Sequence, residues 1–176
     1  MTTEPLSVEL YYQGPGIATE TWGFTQANFL VALPGRSDKE SAILLNDPAA
    51  RMLAEELGIE DSQENRERLA RAAGEAWIPT LAATDTSIDS LITISVAFLN
   101  KHPEVLAGIK QAMAAGARRL VVLADASKFG AVAFCKVLDL GRGDLVVTDA
   151  GLDAACRRML DAQGVEVLTI CTAVPA

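Results

Sequence analysis

The chain has 176 residues and a mass of 18.6 kDa, enough for one domain or a domain with an appendage. Half of the residues are hydrophobic and 22% are charged, which excludes a disordered polyelectrolyte; with aromatics at 5%, Leu, Val, Ile and Ala must fill the core. Fifteen Lys/Arg stand against 23 Asp/Glu, and a net charge of −8 gives no long-range attraction for nucleic acid or anionic lipid.

Ser7–Tyr12 predicts a strand, Gln13-Gly14-Pro15-Gly16 a turn, and Asn28–Leu33 a second strand stopped by Pro34-Gly35. Trp22 and Phe24 stand in a Thr-rich stretch and are expected to anchor it to a core. Arg36–Lys39 reads as an exposed loop and Ile43–Leu45 as a short apolar segment. Asn46 or Asp47 can cap a helix over Ala49–Leu57, with Pro48 near its first turn and Gly58 at its end. A second helix is expected from Ser62 to Trp77, because Leu69, Ala72, Ala73, Ala76 and Trp77 recur at helical spacing; Pro79 is expected to stop it. Between Arg51 and Glu75 lie seven acidic and four basic residues, a solvated surface with no basic recognition face.

Leu91–Leu99 is β-branched and apolar and predicts a buried strand, followed by a turn at Asn100–Pro103. A helix over Glu104–Ala117 follows from the 3.6-residue recurrence of Val105, Leu106, Ile109 and Met113. Arg119–Ala124 reads as a buried strand ending in Asp125, with a loop at Ser127–Gly130 and a short helix near Ala131–Phe134. Asp144–Val147 is a strand ending at Thr148-Asp149, Leu152–Gln163 a helix stopped by Gly164, and Val165–Ile170 a last strand. This alternation predicts one α/β domain over 1–176, with a mainly parallel sheet and helices on both faces.

In open parallel sheets, ligands sit beyond the carboxyl ends of the strands. Asp125, Ser127 and Lys128 follow one such end, and Thr148 and Asp149 close the next. If the strands are neighbours, these residues line one crevice. Lys128 supplies positive charge, Ser127 a hydroxyl, and the turn's N–H groups further donors for a phosphate. The aspartates would repel a phosphate and suit sugar hydroxyls. The alternative is that both aspartates cap turns and Lys128 pairs with one of them. Lys110, on the preceding helix, is a second candidate cation. His102 reads as a loop residue, and Met52, Met113 and Met159 as core filler.

Cys135, Cys156 and Cys171 are too few and too scattered for a disulfide scaffold or a thiolate zinc site, and fit small apolar core residues in a reducing cytoplasm. No phosphate-loop, nucleophile-elbow or dinucleotide glycine motif is present, so neither cofactor nor metal is expected. The start MTTEPLSVEL lacks a basic segment before an apolar run, and the apolar stretches are strand-sized, so neither a signal peptide nor a membrane span is expected.

VVLADASKFG, then VVTDAGLD, then GVEVLTI resembles the C-terminal part of the sugar-phosphate sensor domain of DeoR-family transcriptional repressors. In that family one strand ends in Asp-x-Ser-Lys-Phe-Gly and the next in Thr-Asp-x-Gly-Leu; here these are Asp125, Ser127, Lys128, Phe129, Gly130 and Thr148, Asp149, Gly151, Leu152. Lys110, Ala112 and Met113 match the Lys-x-Ala-Met of the preceding helix. The likeness covers roughly residues 104–170. The family's Asp-x-Gly-Thr-Thr strand end has no counterpart, and Asn100-Lys101-His102-Pro103 stands where the family has a Gly-Leu-Thr loop.

The resemblance implies the α/β fold shared with ribose-5-phosphate isomerase, glucosamine-6-phosphate deaminase and CoA transferases. It implies a regulatory module that binds a phosphorylated sugar or related small anion, with Lys110 and Lys128 facing the site and Asp125 shaping it. A sugar-phosphate isomerase-like enzyme and a non-binding structural or oligomerisation module are the alternatives, and a homo-oligomer fits any of them. Residues 51–69 faintly echo a helix-turn-helix, but two ordinary acidic helices explain them better, and their charge argues against direct DNA binding.

Overall fold

A computed structural model describes residues 8–16, 23–84, 87–130 and 138–170. They fall into two compact units, Met1–Met113 and Ala114–Ala176.

The first unit carries strands β1 (Glu9–Pro15), β2 (Phe24–Ala32), β3 (Lys39–Asn46) and β4 (Leu91–Ile94), hydrogen-bonded in that order. The β1–β2 and β2–β3 ladders are antiparallel and β3–β4 is parallel. Helices α1 (Asp47–Leu57) and α2 (Gln63–Ala83) lie between β3 and β4; α3 (Val96–Lys101) and α4 (Pro103–Ala115) follow β4. Strand alternation sends Ala27, Phe29 and Val31 to one face, where they meet Ile43, Leu45 and Ile94 and the helical residues Leu53, Leu69, Leu99 and Ile109. At Gly74 of α2 a Cβ would lie 2.3 Å from the Phe29 ring, so helix and sheet meet there with no side chain between them.

Helix α1 begins as the sequence predicts, with the Asn46 side chain accepting from Ala49 N at 3.0 Å, and it ends at Gly58 with a φ of +63°. Three expectations need correction. Helix α2 runs through Pro79 to Ala83, because Ile78 and Ala82 beyond the expected stop are buried in the core, and that burial outweighs the missing proline N–H. The strand expected over Leu91–Leu99 ends at Ile94: the Ser95 hydroxyl accepts from Phe98 N at 3.2 Å and starts α3. Gln13–Gly16 is no free turn. β1 continues to Pro15 across a bulge between Tyr12 and Gly14, and Gly16 N donates to Gln26 O at 2.9 Å.

The second unit holds β5 (Val121–Leu123), β6 (Leu145–Asp149) and β7 (Glu166–Ile170), all parallel and in that order, with α5 (Ala154–Ala162) between β6 and β7. Val146, Leu160 and Val165 form its core, flanked by Val122, Phe129, Leu152 and Val167. On the other face Val121, Leu123 and Leu168 are 53%, 77% and 53% exposed, so β5, expected as a buried strand, has exposed residues at Val121 and Leu123. Three of the five ladders among the described residues are parallel, and the fold is α/β with mixed and parallel sheets flanked by helices.

Met52 and Met113 pack against the first core as expected, but Met159 is exposed on α5. Trp22, the helix expected near 131–134, Cys135 and Cys171 lie outside the described residues. Among the described residues, no helix is long and apolar enough to cross a membrane, and no group of His, Cys, Asp or Glu could hold a metal ion.

Candidate functional site at the carboxyl ends of β5 and β6

β5 and β6 pair in parallel with Leu123 opposite Val147, so both chains leave the sheet at the same edge. Ala124 N still donates to Val147 O, at 3.1 Å. Asp125 then caps a single 3-10 turn, Ala126–Lys128: its Oδ1 accepts from Ser127 N at 3.0 Å and also from the Ser127 hydroxyl. Asp149 closes β6 and joins the two loops. Its Oδ2 accepts from Ala126 N at 2.9 Å and its Oδ1 from Gly151 N at 2.7 Å.

These bonds favour the ionised carboxylates. The Ser127 hydroxyl holds Asp125 below the usual aspartate range, with the nearby Lys128 ammonium as a smaller cause. The Ala126 and Gly151 amides do the same for Asp149. Lys128 is largely exposed, and its Nζ lies 3.7 Å from Asp125 Oδ2. Both aspartates thus accept from backbone N–H groups of their turns, and Lys128 stands near one of them.

The turn's backbone offers an anion less than its sequence suggested. Ala126 N serves Asp149 and Ser127 N serves Asp125; Lys128 N donates to Asp125 O and Phe129 N to Ala126 O. With those donors committed, the Lys128 ammonium is the group of this turn that can meet an anion. Thr148 is 2% exposed, and its Oγ1 has no hydrogen-bond partner among the described residues.

Five of the six predicted site residues thus gather at one sheet edge, in the second unit. Lys110 stands on α4 in the first unit, with its Nζ 2.5 Å from Glu56 Oε1 of α1. His102 lies between α3 and α4, as expected of a loop residue. It caps α3, and its ring centroid lies 4.7 Å from that of Trp77 and 4.6 Å from that of Phe98, with Nδ1 3.0 Å from Glu104 Oε1.

Two further carboxylates organise this unit and went unread in the sequence. Asp144 accepts from Leu120 N and Gly141 N, at 3.0 and 2.8 Å, and Asp153 caps α5 by accepting from Ala155 N and Cys156 N. An Asp one to three residues before a helix or strand start was the available signal. Cys156 is half-buried, and its thiol is pushed up by its hydrogen bond to Asp153. A carboxylate held low is a poor base near neutral pH. What Asp125 and Asp149 do well is fix two loops and accept hydroxyl hydrogens on their remaining lone pairs.

Residues 90–150 match the family of the DeoR C terminal sensor domain. That segment runs from the start of β4 to the end of β6 and contains all six predicted site residues. The chain is 31% identical over 106 residues to the uncharacterized HTH-type transcriptional regulator YgbI of Escherichia coli (strain K12), a match over 60% of this chain and 41% of that protein. It is 32% identical over 72 residues to a candidate aga operon transcriptional repressor of Escherichia coli O157:H7, covering 41% of this chain and 27% of that protein. The chain thus spans about two fifths and about a quarter of these relatives' lengths. No solved structure matches it. The matched segment ends directly after the Thr148-Asp149 strand end, so it contains the turn after β5 and the end of β6, while most of the loop that follows β6 lies beyond it.

Proposed function

We propose that the chain is a ligand-sensing regulatory module that binds a phosphorylated sugar, or a related small anion, at the carboxyl ends of β5 and β6. One observation carries the reading: the segment that matches the sensor-domain family includes the turn after β5 and the end of β6, and the Asp149–Ala126 bond ties these into one polar edge. The Lys128 ammonium takes the phosphate. Its contact with Asp125 is long and exposed, so exchanging it for a dianion costs little. Asp125 and Asp149 accept hydroxyl groups of the sugar. The low-lying carboxylates favour binding over proton transfer. The module works in the cytoplasm, where such metabolites occur.

Calorimetric titration of the full chain with a panel of pentose and hexose phosphates tests this. Saturable binding is expected for at least one of them, and Lys128→Ala weakens it about tenfold or more. Equal affinity in wild type and variant, or no binding across the panel, overturns the proposal.

A further inference from the structure

The first unit carries a cavity of about 450 Å³ on its sheet, lined by Gln13, Asn28, Leu30, Glu40, Ala42 and Ser90 among others. Phe29 and Ile43 face α2, so their neighbours Asn28, Leu30 and Ala42 belong to the opposite face of the sheet. We propose that this face holds a second binding site, for an uncharged polyhydroxylated ligand of mono- or disaccharide size.

The local structure is built in a way that aims polar groups at the cavity. Tyr12 pairs with Phe29 and Gly14 with Asn28, which leaves Gln13 as the extra residue of the bulge. Gly14, at a φ of +109°, takes the backbone through a conformation that other residues rarely adopt. A bulge re-aims the side chain it carries, and here that side chain lines the cavity. Gly16 lies so close to the Gln26 side chain that a Cβ would come within 2.4 Å of it. Gln26, held in this way, donates from Nε2 to Asn28 Oδ1 at 2.6 Å, and the Asn28 NH₂ group remains as a donor. Leu30 stands opposite Glu40, and Asn28 opposite Ala42. Three strands therefore contribute an amide donor–acceptor, a second amide and a carboxyl group around an apolar floor of Leu30 and Ala42.

That composition selects the ligand. The volume lies in the range of small-molecule clefts, roughly 300–1,000 Å³. No Lys or Arg is among the described lining residues, and the ammonium of neighbouring Lys39 is turned to Ile88 O at 2.8 Å. An anion would meet Glu40 without a compensating cation. Vicinal hydroxyls can donate to the Glu40 carboxyl group and accept from the amides, while the C–H face of a pyranose covers Leu30 and Ala42. None of this involves Lys128 or the second unit, so the inference stands apart from the proposed phosphate site.

The test uses the full chain with three named probes: methyl glucoside, methyl galactoside and maltose. Saturation-transfer NMR and calorimetry should show saturable binding of at least one. Asn28→Leu and Glu40→Gln should each weaken it about tenfold with an unchanged circular dichroism spectrum, whereas Lys128→Ala should leave it unaltered. Glu40 is exposed, so Glu40→Gln decides the matter if Asn28→Leu fails to fold. The proposal is overturned if none of the probes saturates by about 10 mM. It is also overturned if affinity survives Glu40→Gln, or falls in Lys128→Ala.

Discussion

At the scale of single residues, the second unit is organised by aspartates that accept backbone N–H groups. Asp149 joins the turn after β5 to the loop after β6, and Asp144 ties Leu120 to Gly141. Both are held below the usual aspartate range by those amides. A group with a lowered folded-state value stabilises the fold above its unfolded value, and that contribution is lost as pH falls through the folded one. Acidification from the ordinary aspartate range, about pH 4, downward should therefore weaken this unit. Asp149→Asn removes the charge and turns an amide NH₂ toward a backbone donor. Its urea midpoint should be lower at neutral pH and fall less steeply on acidification than that of wild type. Parallel midpoint-against-pH curves for the two proteins would refute the assignment.

At the scale of elements, the joint between α2 and the first sheet is the tightest. Ala is a better helix former than Gly by about 1 kcal/mol, yet a methyl at position 74 would sit 2.3 Å from the fully buried Phe29 ring and 3.0 Å from Ile43 Cγ1. Overpacking of this kind costs about 1–3 kcal/mol, so Gly74→Ala should destabilise the chain by about 1–2 kcal/mol despite its helical propensity. Phe29→Leu in the same chain should recover part of that loss in chemical denaturation; additive losses would place the strain elsewhere. Capping residues and hydrophobic period made α1, α4, α5 and β7 legible, because Asn46, Gly58 and Gly164 act locally. The continuation of α2 was hidden, since a proline's local preference says nothing of Ile78 and Ala82 being buried beyond it. Ser95 reads as part of a strand because LITISVAFL is mostly β-branched and apolar, and only the cap reveals the change of period. At the candidate site the residue types and their shared sheet edge were legible. The commitment of the turn's N–H groups and the pairing of Lys110 with Glu56 depend on tertiary contacts that spacing does not encode.

At the scale of the whole molecule, the two units differ in how much apolar surface their described residues bury. Among those residues, the first unit has Phe29, Ile43, Leu45, Leu53, Leu69 and Ile109 completely enclosed, and the second has Val146, Leu160 and Val165 buried. A small core opens at lower free energy. Native-state hydrogen exchange should find the amides of β2 and β3 among the slowest and those of β5–β7 clearly faster at the same pH. Equal protection at Ile43 and Val146 would refute that ordering. The clustered rings of Trp77, Phe98 and His102 tie α2 to the junction of α3 and α4. The chain has two tryptophans, so a Trp22→Phe variant leaves a single indole whose emission comes from within this cluster. Loosening the junction would wet that indole and redden its fluorescence, which gives the first unit an optical gauge of its own integrity, readable without any added dye.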